Sequence, residues 1–364
     1  MSRHNQAISA SLVILATIAV FYVLVVGKPF LVPLAVAIMI WYVINALSRS
    51  YARLLPKIDK PNWITTTAAL ISIGLFIFFS VDLVRGNIND VQAAAPNYKA
   101  NFDVLASKIL VQLNMESWPN IKEVISGFEV APMVTTLTAT FKNIISDIFL
   151  VLFYVMFLML EQGTFKKKIA QMFPDQDQQG SILSILSHAQ EDIQTYLWIK
   201  TVTSSITGVI SYFVLLLVGV DFAGFWAFTI FLLNFIPTVG SIIATLFPAV
   251  LALIQFETFT EFFIVLAGVG TVQLVVGSFL EPKMMGNTLN VSPLVVMLSL
   301  TLWGSIWGIA GMFLSVPITV IMLIIFAHFE KTRYLAVFLS GDGDLKFTDE
   351  WNDHKPKDNS EPQP

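Results

Sequence analysis

The sequence predicts an all-α polytopic membrane protein with about six full spans and two broken-helix, re-entrant-like hairpins in its C-terminal half. Three observations predict it. Only 13% of the 364 residues are charged and 55% are hydrophobic, whereas soluble domains carry roughly 25% charged residues. Apolar runs near the ~20 residues needed to cross hydrocarbon recur along the chain. Those runs are continuous and do not alternate with polar residues, which favours helices over a membrane barrel.

The first three runs are 7–26, 30–47 and 63–84. Arg3 ahead of the first run resembles a secretory leader, but the run ends at Gly27-Lys28-Pro29 without a small-x-small cleavage site and reads as a retained span. Arg49, Arg53, Lys57 and Lys60 fill the connection before the third run, which puts that loop and the N-terminus in the cytoplasm by the positive-inside rule. Residues 1–84 therefore form an N-terminal three-span region, and the polar stretch 85–142 is expected as a helical cap on the opposite side. A fourth span at 144–160 leads to Lys166, Lys167 and Lys168, again on the cytoplasmic side. After it, Ile182, Ile185, Leu186, Ala189, Ile193 and Leu197 follow a helical period from Ser181 as N-cap, predicting an amphipathic helix along the inner surface within a region 143–198.

Residues 199–330 read as the transport core. Two apolar pairs are interrupted, the first at Pro237 and Gly240 and the second at Trp303-Gly304-Ser305-Ile306-Trp307-Gly308. Irregular backbone at membrane depth survives only where protein buries it or where it lines a wet cavity, so the breaks predict a solute site. The candidates for the pathway are Asn234, Pro237, Thr238, Gly240, Gln273, Glu281, Pro282, Lys283, Gly286, Ser292, Pro293, Gly304, Gly308 and Gly311. Asn234, Thr238 and Ser241 offer hydrogen bonds suited to a hydroxylated solute or a partly dehydrated cation. Equally, Gly, Ser and Pro at such breaks serve close helix packing. Glu281 reads either as a carboxylate that binds a coupling proton or cation, or as one half of a solvated interfacial pair with Lys283. Residues 331–364 are charged and Pro-containing and predict a disordered cytoplasmic tail.

Several classes are excluded. The net charge is −4 and there is no basic stripe, so nucleic acid is not a partner. Absence of Cys removes thiolate and Cys-based metal chemistry. The four His residues make no metal-ligand spacing, and no Gly loop followed by Lys-Ser or Lys-Thr is present to cradle phosphate. No catalytic residues, metal or cofactor are expected. The implied partners are the lipid bilayer and a small-molecule or cation substrate. A passive channel lined by the same breaks, and a scaffold or receptor using the cap, remain as alternatives.

From Tyr196 to Pro317 the residues resemble the AI-2E (autoinducer-2 exporter) family of transporters. The resemblance rests on Tyr196 and Lys200 ahead of Gly208, on Asn234-Phe235-Ile236-Pro237 with Gly240, and on Leu280-Glu281-Pro282-Lys283-Met284-Met285-Gly286. It also rests on Ser292-Pro293, Trp303-Gly304, Gly308, Gly311-Met312 and Pro317. Members often carry Pro soon after the glycine at position 308, where this chain has Ile309-Ala310, and a bulkier residue at the position of Ser305. The resemblance implies a bacterial inner-membrane transporter and a homo-oligomer. Its substrate would be autoinducer-2 or a related small polar molecule, or it would act as a sodium (lithium)/proton antiporter.

Overall fold

Every regular element among the described residues is a helix. The computed structural model describes residues 3–54, 62–112, 130–173, 175–286, 290–329 and 331–345. In chain order the elements are α1 (Arg3–Val26), α2 (Lys28–Leu54), α3 (Trp63–Gln112), α4 (Val130–Met172), α5 (Gln176–Val218) and α6 (Ala223–Leu233). They continue with α7 (Val239–Phe256), α8 (Phe259–Val275), α9 (Glu281–Met285), α10 (Pro293–Trp307), α11 (Ile309–His328) and α12 (Arg333–Leu339). A π turn, Val276–Leu280, joins α8 to α9. Seven stretches among the described residues are long and apolar enough to cross a bilayer. The chain is an all-α polytopic membrane protein.

Contacts part the chain into two compact units, Met1–Tyr42 with Phe153–Tyr196 and Asn287–Pro364, and Val43–Leu152 with Leu197–Gly286. The two interrupted pairs fall into different units, α6–α7 in the second and α10–α11 in the first.

Three elements differ from the sequence reading. α3 runs for 50 residues straight through position 84, where a cap was expected to begin, and it carries Pro96 inside. The change from apolar to polar residues alters what the helix faces without removing a backbone hydrogen bond, so the helix has no reason to stop. At its far side the cap merges into α4, which starts at Val130 and continues to Met172; residues 113–129 of the expected cap lie outside the described residues. Likewise α5 is one helix of 43 residues, so the amphipathic stretch beginning at position 181 shares a rod with the following span and is not a separate surface helix. No Pro interrupts 176–218. Finally, the disorder expected for 331–364 does not hold for 331–345, and 346–364 lie outside the described residues. There α12 packs on α11, with Ala336, Leu345 and Ala327 buried together. Ser292 N–H donates to the Leu339 carbonyl at 3.0 Å, and Gly341 N–H to Asn290 Oδ1 at 3.0 Å, so this segment closes the base of α10–α11.

Local chemistry sets the element ends. Asn62 Oδ1 accepts from the Ile64 and Thr65 amides and caps α3. α5 stops at Gly219, whose φ of +81° suits glycine, with Gly219 N–H bonded to Leu216 O and Val220 N–H to Leu215 O in a Schellman arrangement. Trp307 Nε1–H donates to the Leu24 carbonyl at 3.0 Å, satisfying an acceptor in the last turn of α1.

In the second unit, Leu215, Val220, Ala223, Ile230, Ala244, Ala249, Ala252, Val265 and Val269 form the core. The alanines of α7 let α6 and α8 approach closely, the usual means of packing in lipid, where apolar surface alone gives no drive to associate. Gly208 serves the same end on α5, since a Cβ there would lie 3.1 Å from the Ala227 carbonyl oxygen of α6.

The far part of α3 is tied to the open ends of this core. Tyr98 O–H donates to Asp221 Oδ2 at 2.8 Å, and Asn101 Nδ2 to the Gln255 carbonyl at 3.1 Å. Lys108 pairs with Glu257 at 2.8 Å. Burial, and then the Asp221 carboxylate, hold the Tyr98 phenol well above its ordinary range. A phenol whose pKa is raised on folding stabilises the fold below its unfolded value, about 10, and loses that contribution as pH rises through the folded value. Tyr98→Phe is therefore expected to destabilise the protein at neutral pH by about 1–3 kcal/mol, because Asp221 loses a donor. Thermal unfolding in detergent at pH 7 reads this, and a variant as stable as its parent contradicts it.

Candidate functional site

The site grows from the break between α6 and α7. α6 has 11 residues, about 16 Å of rise, against roughly 30 Å of hydrocarbon. Its chain does not simply continue as a helix. Phe235 N–H bonds to Leu232 O and Ile236 N–H to Leu233 O, tightening the last turn. Pro237 offers no N–H, and Thr238 sits at φ +56°, ψ −59°, an unusual conformation for a β-branched residue. The turn then folds back so sharply that a Cβ on Gly240 would lie 1.9 Å from the Leu233 carbonyl oxygen. Only glycine fits at that contact.

The buried ammonium of Lys200, on α5, meets this tip. Its Nζ donates to the Asn234 carbonyl at 3.3 Å and pairs with Glu281 Oε1 at 2.5 Å, with side chains 9% and 21% exposed respectively. Three elements thus converge on one cation: α5, the α6–α7 tip and the α8–α9 rod. Removing Lys200 and Glu281 from water costs several kcal/mol per ion, which a close pair with further hydrogen bonds offsets.

Beside the pair lies a cavity of about 580 Å³. Pro237, Thr238, Ser241 and Thr245 line one side, and Gly270, Gln273, Gly277, Ser278 and Glu281 another, with Lys200 at its end. Its walls mix aliphatic side chains, Ile242, Leu246, Leu266 and Leu274, with hydroxyls and one amide. Gln273 Nε2 and Asn234 Oδ1 are buried and find no hydrogen-bond partner among the described residues. Polar atoms left in that state are expensive, and Gln273 lies where a solute could reach it.

Of the residues singled out from sequence, Pro237, Thr238, Gln273 and Glu281 line this cavity. Asn234 contributes its carbonyl to Lys200, and Gly240 permits the turn. Pro282 and Lys283 sit in α9 beyond the cavity wall, and Gly286 ends that helix at φ +52°. Glu281 pairs with Lys200 and not with its neighbour Lys283. Ser292, Pro293, Gly304, Gly308 and Gly311 belong to the other unit. There Ser292 is the N-cap position of α10, Pro293 its first residue, and Gly308 the junction of α10 and α11 at φ +66°. Gly311 repeats the role of Gly240, since its Cβ would lie 1.9 Å from the Trp303 carbonyl oxygen. A Cβ on Gly304 would lie 2.9 Å from Met312. Ser299 Oγ–H donates to the Ser315 carbonyl, and Ser299 and Thr319 hydroxyls meet at 2.5 Å, which holds α10 to α11.

Ser241, read from the sequence as a hydrogen-bonding group at the break, lines the cavity too, whereas sequence reasoning left Lys200, Thr245, Gly270, Gly277 and Ser278 out of the site. The signal for Lys200 was available: it is a single cation at the head of the apolar run 199–218, and an ionisable residue in such a run needs a partner.

A multi-pass helical membrane protein with a polar, ion-paired cavity beside a broken helix is, in class, a transporter of small solutes. The chain belongs to the AI-2E family transporters, whose family model matches residues 12–331. It is 31% identical over 355 residues to a candidate transport protein of Haemophilus influenzae, covering 95% of this chain and 98% of that one. It is 30% identical over 318 residues to the AI-2 transport protein TqsA of Escherichia coli K12, covering 85% and 89%. The candidate transport protein YhhT of the same organism is 29% identical over 315 residues, covering 85% and 87%. A transporter family implies no enzymatic role.

Proposed function

We propose that the protein is a secondary transporter that moves autoinducer-2 or a related small polar molecule through the cavity beside Lys200 and Glu281. The observation that carries the reading is the joining of a strained hairpin tip, a buried ion pair and an unpartnered amide around one solute-sized space. Hydroxyls of Thr238, Ser241 and Ser278 and the Gln273 amide suit a hydroxylated solute, and Glu281 is the group through which a proton or cation gradient would act. The relative's name, AI-2 transport protein, supports the same substrate.

A second reading, sodium (lithium)/proton antiport, draws on the carboxylate at the cavity, where a cation could replace the Lys200 ammonium. On this reading the protein sits in a bacterial inner membrane with both termini cytoplasmic. Arg49 and Arg53, Lys167 and Lys168, and Lys331 and Arg333 support that orientation. The apolar side chains of α1 exposed from Ser11 to Val26 suit lipid and contact with further copies in a homo-oligomer.

Flux into proteoliposomes under an imposed proton gradient, comparing autoinducer-2 with sodium, tests this. Saturable uptake of autoinducer-2 that collapses with the gradient is expected. Sodium movement without autoinducer-2 movement favours the second reading, and unsaturable, gradient-indifferent leakage of both contradicts a secondary transporter.

A further inference from the structure

Glu281 reaches Lys200 from an unusual stretch of helix. Val276–Leu280 is a π turn, in which the Glu281 N–H bonds to the Val276 carbonyl, five residues back. A π turn absorbs one residue more than an α turn, so everything after it is rotated by about 100° relative to an uninterrupted α-helix. With α geometry throughout and no change in sequence, Glu281 would leave the face it shares with Gln273, Gly277 and Ser278 and swing off Lys200.

Two features keep the alternative register close at hand. Pro282 follows Glu281 and has no N–H, so in either register a carbonyl at Gly277 or Ser278 goes without its helical donor. Both residues line the cavity, from which a solute or water can serve the carbonyl left over. Gly277, moreover, packs against nothing: a Cβ added there would meet no atom within 4 Å. Within the turn Val276 is the buried residue, so the side chains that hold this register are that valine and the Glu281–Lys200 pair.

We infer that the π turn at Val276–Leu280 is a two-register element that carries Glu281 onto and off Lys200, and so controls access to the cavity. The inference rests on the cavity being the transport site. In the π register Glu281 holds Lys200, and Lys200 holds the hairpin tip through the Asn234 carbonyl. In the α register the Glu281 contact is released, Lys200 keeps only the Asn234 carbonyl, and the cavity end opens.

Deleting Gly277 removes the extra residue, so the rod becomes α-helical while residues on both sides keep their faces. The Lys200–Glu281 pair should then form but never release. Proteoliposomes of the full chain are tested for autoinducer-2 and sodium flux, and the chain's lack of Cys allows a pair of Cys at 200 and 281 to report proximity with a short bifunctional maleimide that spans the length of the two replaced side chains. The deletion is expected to keep the cross-link and to lower flux at least tenfold. Flux within twofold of the parent overturns the inference. A parent that moves neither solute overturns the transport reading and the inference with it.

Labelling of the full-length chain by a water-soluble maleimide gives a readout that does not depend on the deletion folding. With autoinducer-2 or sodium present, reactivity of Cys at 281 should change at least threefold, while Cys at 260, exposed on α8 before the turn and outside the cavity lining, stays constant. Equal changes at both positions, or none at either, also overturn it.

Discussion

Lys200→Met lowers both flux and stability. It leaves the Glu281 carboxylate without its cation in a site where the two side chains are 9% and 21% exposed. Removing one partner of a buried pair costs about 3–5 kcal/mol, and water reaching Glu281 through the cavity brings the expected loss below that range, to about 2–3 kcal/mol. Flux should fall at least tenfold because the hairpin tip loses its attachment at the Asn234 carbonyl. The double variant Lys200→Met/Glu281→Gln removes both charges and should recover most of the stability, since buried pairs are rarely better than neutral replacements. Flux should stay low in the double variant. Thermal unfolding in detergent alongside proteoliposome flux separates the two effects; a single variant as stable as its parent contradicts the pairing.

Gly240→Ala should do still more damage to folding. The added Cβ would sit 1.9 Å from the Leu233 carbonyl oxygen and 3.0 Å from the Ile236 Cβ, and the first of these belongs to backbone that cannot rotate away. Reopening the tip is expected to cost about 3 kcal/mol or more, in the range of severe overpacking. Gly311→Ala faces the same clash with the Trp303 carbonyl and should behave alike. Gly74→Ala in α3 is the control, since nothing lies within 4 Å of its Cβ; it should be neutral or stabilising by up to ~1 kcal/mol. The yield of monodisperse protein after detergent extraction and its unfolding temperature read these effects. Equal behaviour of the Gly240 and Gly74 variants would show that the turn is looser than its geometry implies.

The spans were legible because hydrocarbon demands long apolar runs, and the breaks were legible because Pro237, Gly240 and Gly308 punctuate those runs without a charged loop. Glu281 also stood out, as a carboxylate at the end of one. Which cation it pairs with did not. Pairing between Lys200 and Glu281 is made by tertiary packing, and nothing in local spacing distinguishes Lys200 from the nearer Lys283. The continuity of α3 and α5 was hidden for a different reason, since polarity reports surroundings and says nothing about whether backbone hydrogen bonds persist. α12 escaped notice because seven residues, Arg333–Leu339, make a small apolar patch beside a long charged segment. The π turn leaves almost no compositional trace, as one extra residue in a rod of 27 changes register and not hydropathy. The clash distances that fix Gly240 and Gly311 exist only in three dimensions.

Solute protection of a single Cys placed at Ser278, on the cavity wall opposite Thr238, tests the central claim most directly. The account predicts that a water-soluble maleimide labels this Cys in membranes, that the label blocks flux, and that autoinducer-2 slows labelling at least threefold. A Cys at 278 that never reacts, or that reacts without any effect on flux, would mean that the space beside Lys200 and Glu281 is not the route.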